Sequence, residues 1–111
     1  MNQKQVELNR ILDTVVSCCA TSYDDGTVSL TRSDVIGRSR SEVVVMTRAI
    51  LVEMIIAAGY STMTVASLLQ RDVHSIRYLM SLGSRLRQTS RAYRIAADEA
   101  ASLCKSYTQS A

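Results

Sequence analysis

The 111-residue chain has no proline, no tryptophan and no phenylalanine, only four glycines, and a single histidine, His74. With few obligatory breaks and few alternating β-like runs, the chain is expected to be mostly helix. All five aromatic residues are tyrosine, so the core must be built from Leu, Ile, Val, Met and Ala. Cysteine is scarce and badly placed for chemistry. Cys18, Cys19 and Cys104 form an odd set whose first two members are adjacent. Neither a disulfide framework nor a zinc site of CxxC spacing can be drawn from them, and buried, reduced thiols are the expectation. No metal or other cofactor is called for.

Long hydrophobic runs are missing as well. The longest apolar region, residues 43–58, is interrupted by Arg48 and Glu53, too short and too charged to span a bilayer. Met1-Asn2-Gln3-Lys4-Gln5 leads straight into an amphipathic segment with no cleavable signal, so the expected compartment is the cytoplasm, away from membranes. Catalytic patterns are absent too. No Walker-type phosphate loop occurs, and no carboxylates pair at an acid–base spacing. Asp72 and His74 are two apart at a helix start and point in different directions. No catalytic residue and no small-molecule substrate are assigned.

What is there is arginine. Residues 1–31 carry a net charge of −2 and residues 95–111 a net −1, whereas residues 32–94 carry ten Arg against four acids, a net +6. Lysine occurs only at positions 4 and 105. The planar guanidinium fork suits phosphate and guanine edges better than an ammonium does, and a solvated helix surface would mix Lys with Glu. The basic middle therefore points to nucleic acid.

The length suits one domain spanning 1–111, an all-α compact bundle of about six helices. A first helix from about Gln3 to Ala20 carries a stripe of Val6, Ile11 or Leu8, Leu12, Val15 and Val16. Tyr23 to Thr27 reads as a turn, and Val28-Ser29-Leu30 as an extended lead. A short helix follows, capped by Thr31 with Asp34 in its first turn, anchored by Val35 and Ile36 and ended by Gly37. Arg38-Ser39-Arg40 is a basic linker. Ser39 and Glu42 have capping-box spacing for a helix from about Arg40 to Ala58, stopped by Gly59. Its two apolar stripes (Val43, Met46, Ile50, Met54, Ala57 and Val44, Leu51, Ile55, Ala58) make it the central helix. Ser61 or Thr62 caps the next helix, with Val65, Leu68 and Leu69 inward. Asp72 caps the one after.

On that helix Val73, Ile76, Leu79, Met80, Gly83 and Leu86 fall on one side, and His74, Arg77, Tyr78, Ser81 and Arg85 on the other. Gly83 is expected to permit a close crossing. A last helix, from about Ser90 to Ser106, has Tyr93, Ala96, Ala97, Ala100, Leu103, Cys104 and Tyr107 along its seam.

Residues 62–80 thus read as a helix-turn-helix whose second helix opens with Asp72 and presents His74, Ser75, Arg77 and Tyr78 at the end that enters a major groove. Arg38 and Arg40 on the linker reach an adjacent minor groove or phosphates. Arg85, Arg87, Arg91 and Arg94 read as phosphate-facing or solvated.

At Arg71-Asp72 followed by Ser75-Ile76, the chain resembles the Arg-Asp-His-Thr-Thr-Val signature of the C-terminal DNA-binding domain of the bacterial replication initiator DnaA. The likeness extends over roughly residues 5 to 105, through Val28 to Ile36, Arg38-Ser39-Arg40 and the long apolar helix. It implies a helical bundle of the Trp-repressor-like kind with a helix-turn-helix that binds a short, asymmetric double-stranded box. It also implies a stand-alone relative without the ATPase domain, of bacterial, phage or mobile-element origin, associated with the nucleoid and acting in replication or transcription control.

Carried over, Arg71 and Asp72 match directly, His74 and Ser75 fall where the family has two Thr, Ile76 where it has Val, and Arg38 or Arg40 takes the minor-groove role. With Arg77 and Tyr78 from the polar side of the helix, Arg71, Asp72, His74 and Ser75 are the expected major-groove residues, and Arg38, Arg40, Arg48 and Arg85 those for the minor groove or phosphates. Val73 stands where the family has its His, Gln70 where Gly is common, and Thr47 where the central helix carries Arg, with Arg48 next door. A rival reading is a helical adaptor that kept the fold and lost DNA binding, pairing with a second copy or a protein partner through its Ala-rich last helix. RNA binding is disfavoured by the lack of an aromatic stacking platform.

Overall fold

In the computed structural model, residues 2–23, 30–38 and 41–109 are described, except for the side chains of 21–23 and 106–109. These residues form six helices and no strand: α1 (Gln3–Tyr23), α2 (Arg32–Ile36), α3 (Glu42–Ala57), α4 (Thr62–Leu69), α5 (Val73–Thr89) and α6 (Arg91–Gln109). The described residues are an all-α bundle of six helices. No helix among the described residues is long and apolar enough to cross a membrane.

The helix starts follow capping chemistry. Thr31 Oγ1 accepts from the Asp34 amide while the Asp34 carboxylate accepts from the Thr31 amide, a complete capping box for α2. Ser61 accepts from the Thr64 amide to start α4, and Asp72 from the Ser75 amide at 2.7 Å to start α5. The cap of α3 is Ser41, whose hydroxyl accepts from the Val44 amide. This corrects the expected Ser39–Glu42 box: Glu42 is the first residue of α3, and Ser39 lies outside the described residues. α1 runs to Tyr23, three residues beyond the expected end, and the expected turn at 24–27 falls outside the described residues.

α3 is the axis of the molecule and packs against all five other helices. Ten of its 16 residues are buried, which is why its sequence is apolar on nearly every side. Its end is closed by Gly59 at φ +101, where the Tyr60 amide reaches back to the Ile55 carbonyl and the Gly59 amide to that of Ile56. α1 and α6 cover one flank, with Leu12, Val15, Cys19, Ala96, Ala97 and Ala100 all fully buried. The cysteines are free thiols, Cys18 and Cys19 buried and Cys104 half-buried. Burial pushes the Cys19 thiol up to about 11, away from thiolate chemistry at neutral pH.

α5 crosses α3 closely at Gly83. A Cβ there would stand 2.7 Å from Tyr93 Oη and 3.8 Å from Ala49 Cβ, so the missing side chain is what lets the tyrosine in. Several residues expected on apolar seams are instead open: Val6 is 37% exposed, and Ala57 and Ala58 at the end of α3 are exposed as well. Met80 is 38% and Leu103 43% exposed, because each lies at the edge of its helix's buried arc.

Candidate nucleic-acid interface

α4 and α5 are joined by Gln70, Arg71 and Asp72 alone. Gln70 takes the left-handed conformation at φ 55, ψ 46, a region that favours glycine. The Arg71 amide then donates to the Ala66 carbonyl at 2.9 Å, closing α4, and Asp72 opens α5. The Ser75 backbone and hydroxyl bonds hold the Asp72 carboxyl below its usual range, with a smaller contribution from the His74 charge.

From this elbow α5 presents one continuous polar ridge. His74, Arg77, Tyr78, Ser81 and Arg85 are all exposed, Tyr78 by 59%. The spacing from His74 to Arg85 corresponds to roughly 16 Å of helix. Ser75 is half-buried at the ridge's flank. Beside it a cleft of about 600 Å³ separates α3 from the start of α5, lined by Val45, Arg48, Arg71, Asp72, His74, Ser75, Tyr78 and Leu79. Arg38 is exposed two residues past the end of α2, and Arg40 lies outside the described residues.

Two expected DNA contacts turn inward. Arg48 is only 5% exposed, and its guanidinium donates to the carbonyls of Val35 (2.7 Å), Asp34 (3.2 Å) and Gly37 (2.8 Å). Its assignment to phosphate is therefore corrected: the side chain is committed to main chain within the fold. Arg71 is half-buried and donates to Ile36 O at 3.2 Å, Leu69 O at 2.8 Å and Gly37 O. Burial, and then the neighbouring Arg71 charge, lowers the Arg48 pKa from its usual value.

The far half of α5 differs from expectation as well. Arg87 is only partly exposed; it grips the Glu53 carboxylate with Nε and Nη2 and reaches Asp98 at 3.2 Å. Tyr93 Oη donates to the same Glu53 at 3.1 Å. Arg94 donates to the Arg87 carbonyl at 2.8 Å, whereas Arg85 and Arg91 are exposed. The sequence contains a signal for Arg48, because it occupies the helical slot between Val44 and Leu51 in an apolar stripe. An arginine in such a slot is buried and needs acceptors. Arg87 carries no such signal, since its partners lie 34 and 11 residues away.

Among the described residues, no group of three or more His, Cys, Asp or Glu side chains could hold a metal ion. Compared with family models, curated proteins and solved structures, the chain matches none.

Proposed function

We propose that this protein is a sequence-specific double-stranded DNA-binding module in replication or transcription control, with α5 in the major groove and the basic linker on the minor groove or phosphates. The observation that carries this reading is the polar ridge His74–Arg77–Tyr78–Ser81–Arg85, exposed along one side of α5 while the other side packs into the core. The arginine excess of residues 32–94 supplies the attraction to phosphate, and the likeness of Arg71-Asp72 and Ser75-Ile76 to the DnaA signature supports the same assignment. Nucleoid association follows from the same reading. His74, Arg77 and Tyr78 read base edges, while Arg38, Arg40 and Arg85 meet the backbone. Asp72 serves first as the cap that aims the ridge.

Selection from a random duplex library at two salt concentrations tests the proposal. A preferred sequence should emerge. His74→Ala and Arg77→Ala should narrow the gap between preferred and random duplex by about tenfold each, a good base contact being worth about 1–3 kcal/mol. Arg38→Ala should weaken all sequences alike and flatten the salt dependence by about one unit. Equal affinity for random and best-selected duplex would overturn sequence specificity.

A second reading has one specific observation behind it. Ile95 and Leu103 on α6 are 50% and 43% exposed, two apolar side chains that a second copy or a protein partner would cover. A stable dimer in sedimentation together with no duplex binding would favour that adaptor role.

A further inference from the structure

The short helix α2 ends in carbonyls that its own five residues cannot satisfy. The Gly37 amide takes the Ser33 carbonyl at 2.8 Å. The others are taken by two arginines from distant parts of the chain. Arg48 of α3 donates to the carbonyls of 34, 35 and 37, and Arg71 of the α4–α5 elbow to those of 36 and 37. Every carbonyl from Ser33 to Gly37 thus has a donor, and Gly37 O receives both guanidiniums. Cations at a helix C-terminus are favoured by its dipole, and the planar fork bridges several oxygens where an ammonium would meet one. Neither guanidinium makes an ion pair among the described residues.

The position of Gly37 gives the arrangement a consequence. Its carbonyl lies in the same rigid peptide plane as the Arg38 amide, so holding that oxygen fixes where Arg38 starts. Arg71 also bonds Leu69 O, the last residue of α4. One side chain therefore spans from the root of the linker to the elbow that aims α5.

We infer that Arg71 is a positioning residue that fixes the Arg38 linker relative to the ridge on α5, rather than a direct DNA contact as the sequence likeness implies. The inference rests on the proposed DNA-binding reading for its function, but the tie itself does not. In DNA terms, a strand's backbone separates the groove read by α5 from the groove or phosphates reached by the linker. The two elements engage one duplex together only if their spacing is held.

Two arms test this. The first uses the protein without DNA. Amide exchange at Gly37 and Arg38 should rise about tenfold or more in both Arg71→Ala and Arg71→Lys, with the α3 amides of Ala49 to Ile55 unchanged. Unchanged exchange at 37–38, or a uniform rise through α3 and α6, overturns the inference. The second is a double-mutant cycle on the best selected duplex. Arg38→Ala should cost about fivefold or more in the parent and under about twofold when Arg71 is Ala or Lys, because the linker no longer starts from a fixed place. An equal cost in all three backgrounds, or full retention of affinity and salt slope by Arg71→Lys, makes Arg71 a plain charge contact and overturns it. If the parent binds no duplex, the proposed function fails while the exchange arm still decides the tie.

Discussion

The two ends of α5 use arginine in opposite ways. At its start, Arg71 and the neighbouring Arg48 are spent on main-chain carbonyls, which carry no net charge. At its far end, Arg87 is spent on Glu53 and Asp98. Both sets of bonds hold helices together, yet only the second cancels charge. The start of α5 keeps its positive field beside an open cleft, whereas at the far end the Arg87 charge is neutralised by two carboxylates. Residue type alone therefore does not say which arginines are free to attract an anion; their acceptors do.

Three substitutions test the contrast, and the largest effect is expected at the start. Arg48→Met keeps the stem and removes the donors, leaving buried carbonyls at the end of α2 unpaired. Urea denaturation should show a loss of about 3 kcal/mol. A loss well below that would mean water substitutes freely for the guanidinium, and the carbonyl cluster would cease to be a structural device.

Glu53→Gln comes next. Arg87 and Glu53 are about a third exposed, 35% and 31%, so solvent screening holds the expected cost to about 1 kcal/mol despite the bidentate grip. On the proposed reading, the variant should also strengthen duplex binding modestly at low salt, because it releases a positive charge at the far end. Weaker binding would show that the two ends are not electrostatically distinct.

The smallest effect concerns Asp72 and is confined to acid. Its carboxyl is held below the usual range by Ser75, so its capping contribution is present above the unfolded carboxylate pKa. That contribution fades as pH falls through the lower folded value. Asp72→Asn should leave stability at neutral pH little changed and flatten the acid limb of a stability–pH curve. An unchanged acid limb would mean the cap does not depend on charge.

Much of this architecture was legible in the sequence. Caps at Thr31, Ser61 and Asp72, the stop at Gly59 and the buried side of α5 at Ile76, Leu79 and Gly83 all follow from local chemistry and period. Such signals act within one helix turn. The misassignments share a physical cause. Ser39 and Ser41 compete for one cap, and only the fold's choice of where α3 begins decides between them. Arg48 and Arg87 are long side chains whose acceptors lie 11 to 34 residues away, and periodicity reports a face but not what that face meets. The polar ridge was readable because its side chains point away from the core, which periodicity alone reports.

The tyrosine hydroxyl seated against Gly83 works as a detent. With Tyr93 fully buried and its oxygen pinned to Glu53, α5 cannot slide by a turn or roll without driving backbone into the phenol or tearing it from the carboxylate. The angular setting of α5 is thus indexed from inside, by a buried phenol and a buried glycine rather than by the ridge. On the proposed DNA-binding reading, surface residues on the ridge can be rewritten for a new sequence while its aim stays constant, so target preference and aim would evolve separately.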